Sequence, residues 1–367
     1  MKHIVLVTPT LGGGGAERTT LSIANGLSGL GYRVTLAVAD TQREKGALKS
    51  ELSSAVELLD FDCARMAGFL KPFSQWLKLN KPHVVISSQT HTNIIIYLSA
   101  KLARYKGKLI AREVSTPSIN LKHLTGVKKW LTQSAMRFVY SRVDFIVPVS
   151  YGVARDLQEY LKTSFSQVRV IYDPVITKDL FDKAQLSLEH PWFAQNRDVP
   201  VILAAGRLTE AKNYPLLITA FAELLKRTPA RLVILGEGED RQHLEQLIAH
   251  LNLQSVVSLA GFDANPFRYM ARCDLYVMSS RWEGLPGALI QALALGAKIV
   301  STDCPSGPRE ILNNGQYGTL VKVDSVDGLM SAMFEQLGAE RKVVDHTNIG
   351  HDFMLSNVLQ QYTDLID

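Results

Sequence analysis

Short apolar runs alternate with longer amphipathic segments from one end of the chain to the other. Each run has four or five residues, and most are followed by a segment long enough to form a helix. Strands and helices that alternate in this way build parallel sheets covered by helices on both faces. We therefore predict an α/β fold. The predicted strands are Ile4–Thr8, Val34–Val38, Val84–Ser87, Lys108–Ala111, Phe145–Val149, Val168–Ile171, Val201–Ala205, Arg231–Leu235, Val256–Leu259, Leu275–Met278 and Ala297–Ser301.

The chain is long enough for two such domains. It has 367 residues, and one domain takes roughly 150. After Tyr172 the sequence becomes polar and irregular, which predicts a linker. We expect two Rossmann-like domains whose parallel sheets face each other across a cleft. The predicted bounds are 1–173 for the first domain, 174–198 for the linker, 199–345 for the second domain and 346–367 for a closing helix.

The cysteines and the apolar runs of the sequence indicate where in the cell the protein is located. Cys63, Cys273 and Cys304 lie far apart in sequence, and an odd, dispersed set favours neither a disulfide framework nor a zinc site. The first residues run directly into a predicted strand, with no signal-peptide pattern. No apolar run approaches the ~20 residues of a membrane-spanning helix. We expect a cytoplasmic protein, peripheral on the cytoplasmic face of a membrane.

Positive charge is concentrated in residues 101–142. This basic region has ten Lys and Arg against one acidic residue, although the net charge of the whole chain is only +5. Such a region attracts anionic partners; we expect acidic lipids and a polyprenyl diphosphate, and no nucleic acid. Val127, Leu131, Ala135 and Phe138 follow helical spacing, which predicts an amphipathic basic helix. Either this helix touches a membrane surface, or its apolar face packs on the core and its polar face is solvated.

A turn acid and a helix start follow the predicted strand Leu275–Met278. Glu283 lies in the turn, Pro286 suits the first position of a helix and Gly296 suits its end. Ligands of open parallel sheets bind beyond the carboxyl ends of strands, and a helix N-terminus offers unpaired N–H groups to anions. The residues predicted to face such a ligand are Glu283, Gly284, Leu285, Pro286, Gly287 and Ala288.

Two other loops have the composition of phosphate-binding loops. Gly12 to Gly15 follow the first strand and precede a helix, so their amides suit a phosphate. Gly206, Arg207 and Lys212 share the loop after Val201–Ala205. Arginine offers a bidentate fork and lysine a compact charge, and both suit a diphosphate. The predicted binding glycines of the first loop are Gly13, Gly14 and Gly15.

These segments resemble the family 4 glycosyltransferases, retaining enzymes of the GT-B fold that take sugars from nucleotide diphosphates. The resemblance is strongest in Gly12–Arg18, Gly206–Asn213 and Ser280–Glu310. The donor signature of that family has two glutamates separated by seven residues, and here these positions are Glu283 and Gln291. The resemblance implies that Glu283 lies beside the donor sugar. It also implies that Gln291 holds the ribose, without the charge assistance that a carboxylate would give.

The resemblance has further implications for fold, binding and reaction. It implies that the closing helix 346–367 crosses back to the first domain. Arg207 and Lys212 would neutralise the leaving diphosphate, and the nucleotide would lie near Gly236, Gly261 and Phe262. The implied reaction moves a hexose or N-acetylhexosamine, with retention, from a nucleotide diphosphate sugar, with UDP as the expected nucleotide. The implied acceptor is a sugar hydroxyl of a polyprenyl-diphosphate-linked glycan in cell-surface glycan synthesis. We expect no cofactor and no metal, because the two cations and the helix dipoles supply positive charge.

Polar residues also end two strands of the first half. His91 follows Val84–Ser87, and Arg112 and Glu113 follow the strand that ends at Ala111. Their strand ends should lie at the same edge of the sheet. We therefore predict that these three residues line the acceptor side.

Three alternatives stay open. The neutral Gln291 is compatible with a catalytically weak variant that acts as a regulatory or scaffolding protein. Read as a dinucleotide fingerprint, Gly13–Arg18 with Asp40 after the second strand would indicate an NAD-dependent oxidoreductase, but arginine replaces the small third residue. Asp60 and Asp62 form an Asp-x-Asp pattern that could hold a metal, although two carboxylates in a turn are usually solvated.

Overall fold

The computed structural model describes residues 1–12, 14–41, 48–122, 124–194, 197–339 and 350–367. The chain divides into two compact units. Unit 1 comprises Met1–Pro174 and Asp352–Asp367, and unit 2 comprises Val175–His351. Among the described ranges, no helix has the length and apolar character needed to span a bilayer.

Unit 1 contains a parallel sheet of six strands in the order β3-β2-β1-β4-β5-β6. The central strands are continuous apolar runs, and all six residues of β1 are buried. Such runs are typical of parallel strands, because helices cover both faces of the sheet. The strands are β1 His3–Thr8, β2 Arg33–Val38, β3 Val56–Asp60, β4 Val84–Ser88, β5 Lys108–Glu113 and β6 Phe145–Pro148.

Seven helices accompany this sheet in the described part of unit 1. They are α1 Gly15–Gly29, α2 Met66–Asn80, α3 Thr90–Ala103, α4 Pro117–Asn120, α5 Gly126–Tyr140, α6 Tyr151–Leu161 and α14 Leu355–Ile366. The last of these closes the core of unit 1 from the end of the chain. Val358, Leu359 and Tyr362 of α14 are buried in the same apolar cluster as Leu27 of α1.

Unit 2 repeats the architecture with the strand order β12-β11-β10-β7-β8-β9, again all parallel. Its strands are β7 Val201–Ala205, β8 Arg231–Leu235, β9 Val257–Gly261, β10 Leu275–Met278, β11 Ile299–Thr302 and β12 Thr319–Val321. Its helices are α7 Lys178–Gln185, α8 Tyr214–Leu225, α9 Arg241–His250, α10 Phe267–Met270, α11 Gly287–Ala294, α12 Pro308–Ile311 and α13 Val326–Gly338.

Each sheet has one point where the strand order reverses. In unit 1 it lies between β1 and β4, and in unit 2 between β7 and β10. The loops that follow these strand pairs leave the sheet in opposite directions and open a crevice at its carboxyl edge. The loop with Arg207 and Lys212 follows β7, and the loop with Glu283 follows β10. Unit 2 therefore places the predicted donor residues at its own switch point.

The structure corrects two expectations about local structure. The predicted strand Val168–Ile171 is absent, since only a single bridge joins Val168 to Ile146. The predicted irregular linker contains α7, whose Leu180 and Ala184 are buried. Two apolar residues at helical spacing are enough to seat a short helix against α10, although the segment is otherwise polar.

Candidate functional site

A lysine and a glutamate that are far apart in sequence meet at the switch point of unit 2. Lys212 Nζ donates a hydrogen bond to Glu283 Oε1 at 2.6 Å, and Ser280 Oγ donates to the same oxygen at 2.6 Å. The side chains of Lys212 and Glu283 are 23% and 12% exposed. The structure thus brings together two of the three predicted catalytic residues as a partly buried ion pair.

The turn that carries Lys212 is tied to the end of β10. This turn is the short 3-10 segment Glu210–Lys212. Ser279 Oγ donates to the carbonyl oxygen of Lys212 at 2.8 Å, and the amide of Arg281 donates to the carbonyl of Ala211 at 2.8 Å. Both bonds cross between the loops after β7 and β10. The backbone of the lysine is therefore positioned by the segment that also carries Glu283.

The predicted donor-binding glycines of unit 2 lie at neighbouring strand ends. The amide of Gly206 donates to Leu235, and that of Gly236 donates to Gly261. Gly236 has a φ of +135°, and a Cβ there would lie 2.0 Å from the carbonyl oxygen of Gly206. Only glycine allows this approach. Arg207 and Phe262, which directly follow two of these glycines, have exposed side chains.

The helix start after Glu283 lies one residue later than predicted. Pro286 has extended backbone angles and precedes α11, whose first residue is Gly287. A Cβ on Gly307, which has a φ of +96°, would lie 2.3 Å from Pro286 Cδ. Because Gly307 caps α12, the N-termini of α11 and α12 lie side by side. Gln291 is half-buried within α11.

Two tyrosines and a cysteine lie close enough to Glu283 to interact with its charge. Tyr214 Oη donates to the carbonyl of Gly206 at 3.2 Å, and Tyr276 Oη donates to Ala205 at 3.3 Å. Burial, and then the nearby Glu283, raise the pKa of Tyr276 and of the Cys304 thiol. These hydroxyls and this thiol therefore stay protonated at neutral pH. Formal charge at the predicted catalytic positions is carried by Arg207, Lys212 and Glu283.

The glycine loop of unit 1 is closed by its own glutamate. The amide of Gly14 donates to Glu17 Oε2 at 2.7 Å, and Thr10 Oγ1 donates to the other carboxylate oxygen of Glu17. Gly15 opens α1. The amide of Gly14 is thus already paired, contrary to the expectation of an exposed amide. Gly13, the third predicted glycine, lies outside the described residues.

The residues predicted on the acceptor side differ in exposure. His91 is exposed in the first turn of α3. Arg112 is 1% exposed, donates to Ser88 Oγ at 2.9 Å and forms an ion pair with Asp173 at 2.6 Å. No local pattern indicates Asp173 as the partner of Arg112, because the two residues are 61 positions apart and Asp173 lies where the predicted linker begins.

Glu113 is fully buried at the carboxyl end of β5. It accepts hydrogen bonds from Thr90 Oγ1 and Asn93 Nδ2, each at 3.0 Å, and from Tyr140 Oη. Burial raises the pKa of Glu113 to about 7. Arg112 and Glu113 are therefore held inside unit 1, where they can position the surrounding strand ends. A contact of either side chain with an acceptor stays a prediction.

Asp60 and Asp62, the alternative metal pair, form a turn instead. Asp60 accepts hydrogen bonds from the hydroxyl of Thr41 and from the amide of Asp62. Within the described ranges, no three His, Cys, Asp or Glu side chains are grouped as metal ligands. The expectation of a reaction without a metal stays a prediction.

The predicted basic helix is present as α5. The apolar face predicted from Val127, Leu131 and Phe138 is exposed, so it is not the face that packs on the core. Met136, Val139 and Tyr140 of α5 are buried. Four large apolar side chains on the opposite face are about half exposed or more, and we call them the α5 stripe. The α5 stripe consists of Val127, Trp130, Leu131 and Phe138.

The basic region is not one uniform solvated patch. Arg112 is inside the core, Lys108 Nζ donates to the carbonyls of Leu365 and Ile366, and Arg137 Nε donates to Leu161. Lys128 is exposed beside the α5 stripe. Only part of the predicted positive charge is therefore available to an external partner.

Comparison with known sequences identifies two families, one in each half of the chain. Residues 13–179 match "Glycosyltransferase Family 4", and residues 189–341 match "Glycosyl transferases group 1". Between them the two matches span most of the chain.

Two curated relatives show the range of similarity. The chain is 33% identical over 240 residues to the N-acetylgalactosamine-N,N'-diacetylbacillosaminyl-diphospho-undecaprenol 4-alpha-N-acetylgalactosaminyltransferase of Campylobacter jejuni, a match covering 65% of this chain and 62% of that protein. It is 24% identical to the amylovoran biosynthesis glycosyltransferase AmsD of Erwinia amylovora, covering 93% of this chain and 91% of that one. For the first relatives the chain spans about half to three fifths of their length.

A solved structure shows the same fold. The crystal structure of Anabaena Alr3699/HepE in complex with UDP and glucose superimposes with a TM-score of 0.80, at 17% identity, and covers 100% of this chain and 99% of that one. The prediction of a GT-B fold with two parallel α/β sheets is confirmed. The chain belongs to the GT-B glycosyltransferases that join a family 4 domain to a group 1 domain.

Proposed function

We propose that this protein transfers a hexose or N-acetylhexosamine from a nucleotide diphosphate sugar to a sugar hydroxyl, with retention of configuration and without a metal ion. The observation that carries the proposal is the Lys212–Glu283 pair at the switch point of unit 2. It adjoins the N-terminus of α11 and the strand ends at Gly206 and Gly236. Cations, helix amides and closely approaching backbone are what a diphosphate sugar needs.

Each residue has a distinct task in the proposed reaction. Glu283 orients the donor sugar, and Gln291 binds the ribose through its amide. As the bond from the anomeric carbon to the β-phosphate oxygen breaks, Lys212 and Arg207 stabilise the negative charge on the leaving diphosphate. The acceptor oxygen bonds to the anomeric carbon from the same face, and its proton passes to a phosphate oxygen. Atoms and charge therefore balance without another co-reactant.

UDP is the proposed nucleotide. The Anabaena protein that shares this fold was crystallised with UDP, and the base would lie near Gly261 and Phe262. NAD chemistry has no support, because both halves of the chain match glycosyltransferase families. A catalytically weak variant is favoured only by the neutral Gln291, whereas Arg207, Lys212 and Glu283 are all present.

A lysine exchange tests the proposal. Wild type, Lys212→Ala and Lys226→Ala are incubated with a panel of UDP-hexoses and UDP-N-acetylhexosamines and a polyprenyl-diphosphate glycan, and transferred sugar is measured. Lys226 is a matched control, because it is an exposed lysine paired with Glu223 on α8. We expect Lys212→Ala to lose transfer by about a hundredfold or more, since it removes a charge that binds the transition state, and Lys226→Ala to match wild type. Equal turnover in all three proteins would refute the assignment.

We also propose that the acceptor is lipid-linked and that unit 1 binds the cytoplasmic face of a membrane. The Campylobacter relative is named for a diphospho-undecaprenol substrate. The α5 stripe offers apolar side chains with Lys128 beside it, and Arg142 stacks on Phe138 with its guanidinium carbon 3.9 Å from the ring centroid. Apolar residues flanked by cations are typical of helices that lie in an acidic membrane interface.

Vesicle co-sedimentation tests the membrane surface. Trp130→Ser with Leu131→Ser should markedly reduce binding to vesicles containing phosphatidylglycerol. Leu186→Ser is the control, because Leu186 is 56% exposed but lies in unit 2. Unchanged binding of the double variant would exclude the α5 stripe as the docking surface.

A further inference from the structure

The Lys212–Glu283 pair is flanked by an aspartate that the motifs do not include. Asp324 lies in the loop between β12 and α13. Its Oδ1 accepts a hydrogen bond from Asn213 Nδ2 at 2.8 Å and another from Arg281 Nε at 3.0 Å. Asn213 directly follows Lys212, and Arg281 precedes Glu283 by two residues. One carboxylate oxygen therefore joins the two loops that carry the pair.

The two bonds differ in what their loss would do. Asn213 is 2% exposed and has left-handed backbone angles, with φ +49° and ψ +46°. Its buried amide donor loses a partner if Asp324 is removed, and an unsatisfied buried donor is costly. Arg281 and Asp324 have side chains that are 39% and 56% exposed. Their ion pair is worth little by itself, because solvent screens it.

Loss of the bonds to Asp324 would affect the turn at Glu210–Lys212. This turn is held by Asn213 at its end and by the bonds from Ser279 and Arg281 to its carbonyls. We propose that Asp324 is a positioning residue that fixes Lys212 against Glu283 in the orientation needed for transfer. The inference rests on the proposed function, in which Lys212 stabilises the leaving diphosphate.

Three variants isolate this role. Asp324→Asn keeps an oxygen at the accepting position, and Asp324→Ala removes it. Asp327→Ala is the matched control, since it removes an exposed carboxylate from the first turn of α13. Small displacements of a catalytic group can cost about a hundredfold in rate. We expect Asp324→Ala to lower kcat by about tenfold to a hundredfold with a smaller change in KM, Asp324→Asn to restore most of it, and Asp327→Ala to match wild type.

A double-mutant cycle shows whether Asp324 acts through Lys212. If it does, Asp324→Ala causes little further loss in a Lys212→Ala background, because coupled residues are not additive. Full additivity, or equal kcat in Asp324→Ala and Asp327→Ala, would overturn the inference while leaving the proposed function intact.

A labelling measurement tests the same inference without any transfer activity. The rate of reductive methylation of Lys212 is followed by mass spectrometry, with Lys226 as the internal standard. A Lys212 amine that is held against Glu283 reacts slowly, so Asp324→Ala should raise its rate several-fold and Asp327→Ala should not. An unchanged rate would contradict the inference even if the wild-type protein transferred no sugar.

Discussion

At the scale of single residues, burial decides what the polar strand ends of unit 1 can do. Arg112 and Glu113 form the end of β5, although the sequence predicted that they follow a strand ending at Ala111, and both side chains are inside the core. A charged residue is buried only when paired or neutralised. Arg112 is paired with Asp173, whereas Glu113 has three neutral hydrogen-bond donors around it. The pattern of residue types could not distinguish these two environments from a solvated site.

The raised pKa of Glu113 predicts a pH-dependent stability. Its pKa is 4.5 in the unfolded chain and about 7 in the folded protein. Between these values the folded state binds more protons, so this group makes the protein less stable as pH rises. We expect the free energy of unfolding to fall by about 2.5 kcal/mol more for wild type than for Glu113→Gln between pH 5 and pH 8. Denaturant titrations of both proteins at both pH values measure this difference. An equal change in unfolding free energy in wild type and in Glu113→Gln would contradict the prediction.

At the scale of elements, the packing position of α14 is the feature of unit 1 that the local sequence pattern predicts least. Its helix was predictable, but its seat on α1 depends on a contact between residues far apart in sequence. Leu359 is 6% exposed, and a Cβ on Gly26 would lie 2.5 Å from its Cδ1. Gly26 therefore makes room for Leu359 within an otherwise regular helix.

The contact between α1 and α14 predicts non-additive destabilisation. Leu359→Ala should cost about 2–5 kcal/mol of unfolding free energy, since it leaves a cavity. Gly26→Ala should also destabilise, because its methyl group would overlap the leucine. In the double variant the methyl group fills part of the cavity, so the combined loss should be smaller than the sum. Gly29→Ala is the control, because a Cβ there meets nothing within 4 Å. Additive losses in urea titrations would count against this packing.

At the scale of the whole molecule, the sequence was sufficient for the class of fold and most strands. Alternating apolar runs predicted β7, β8 and β10 with the bounds observed. The strands β3 and β12 are not among those predicted. β12 has three residues and lies at a sheet edge, so its pattern is too short to separate from a loop. The pairing of Lys212 with Glu283 could be anticipated only through family resemblance, because it depends on β7 lying beside β10. The contacts of Asp324 with Asn213 and Arg281 depend on the same strand order, and no sequence pattern predicts them.

In the proposed function, unit 2 binds a nucleotide diphosphate through Lys212. Calorimetric titration of UDP into wild type, Lys212→Ala and Lys226→Ala tests it most directly. A charge-assisted hydrogen bond is worth about 1.5–3 kcal/mol, so we expect the Kd of Lys212→Ala to rise by about tenfold to a hundredfold. The Kd of Lys226→Ala should equal that of wild type. Absence of UDP binding by wild type, or an unchanged Kd in Lys212→Ala, would contradict a diphosphate site at Lys212.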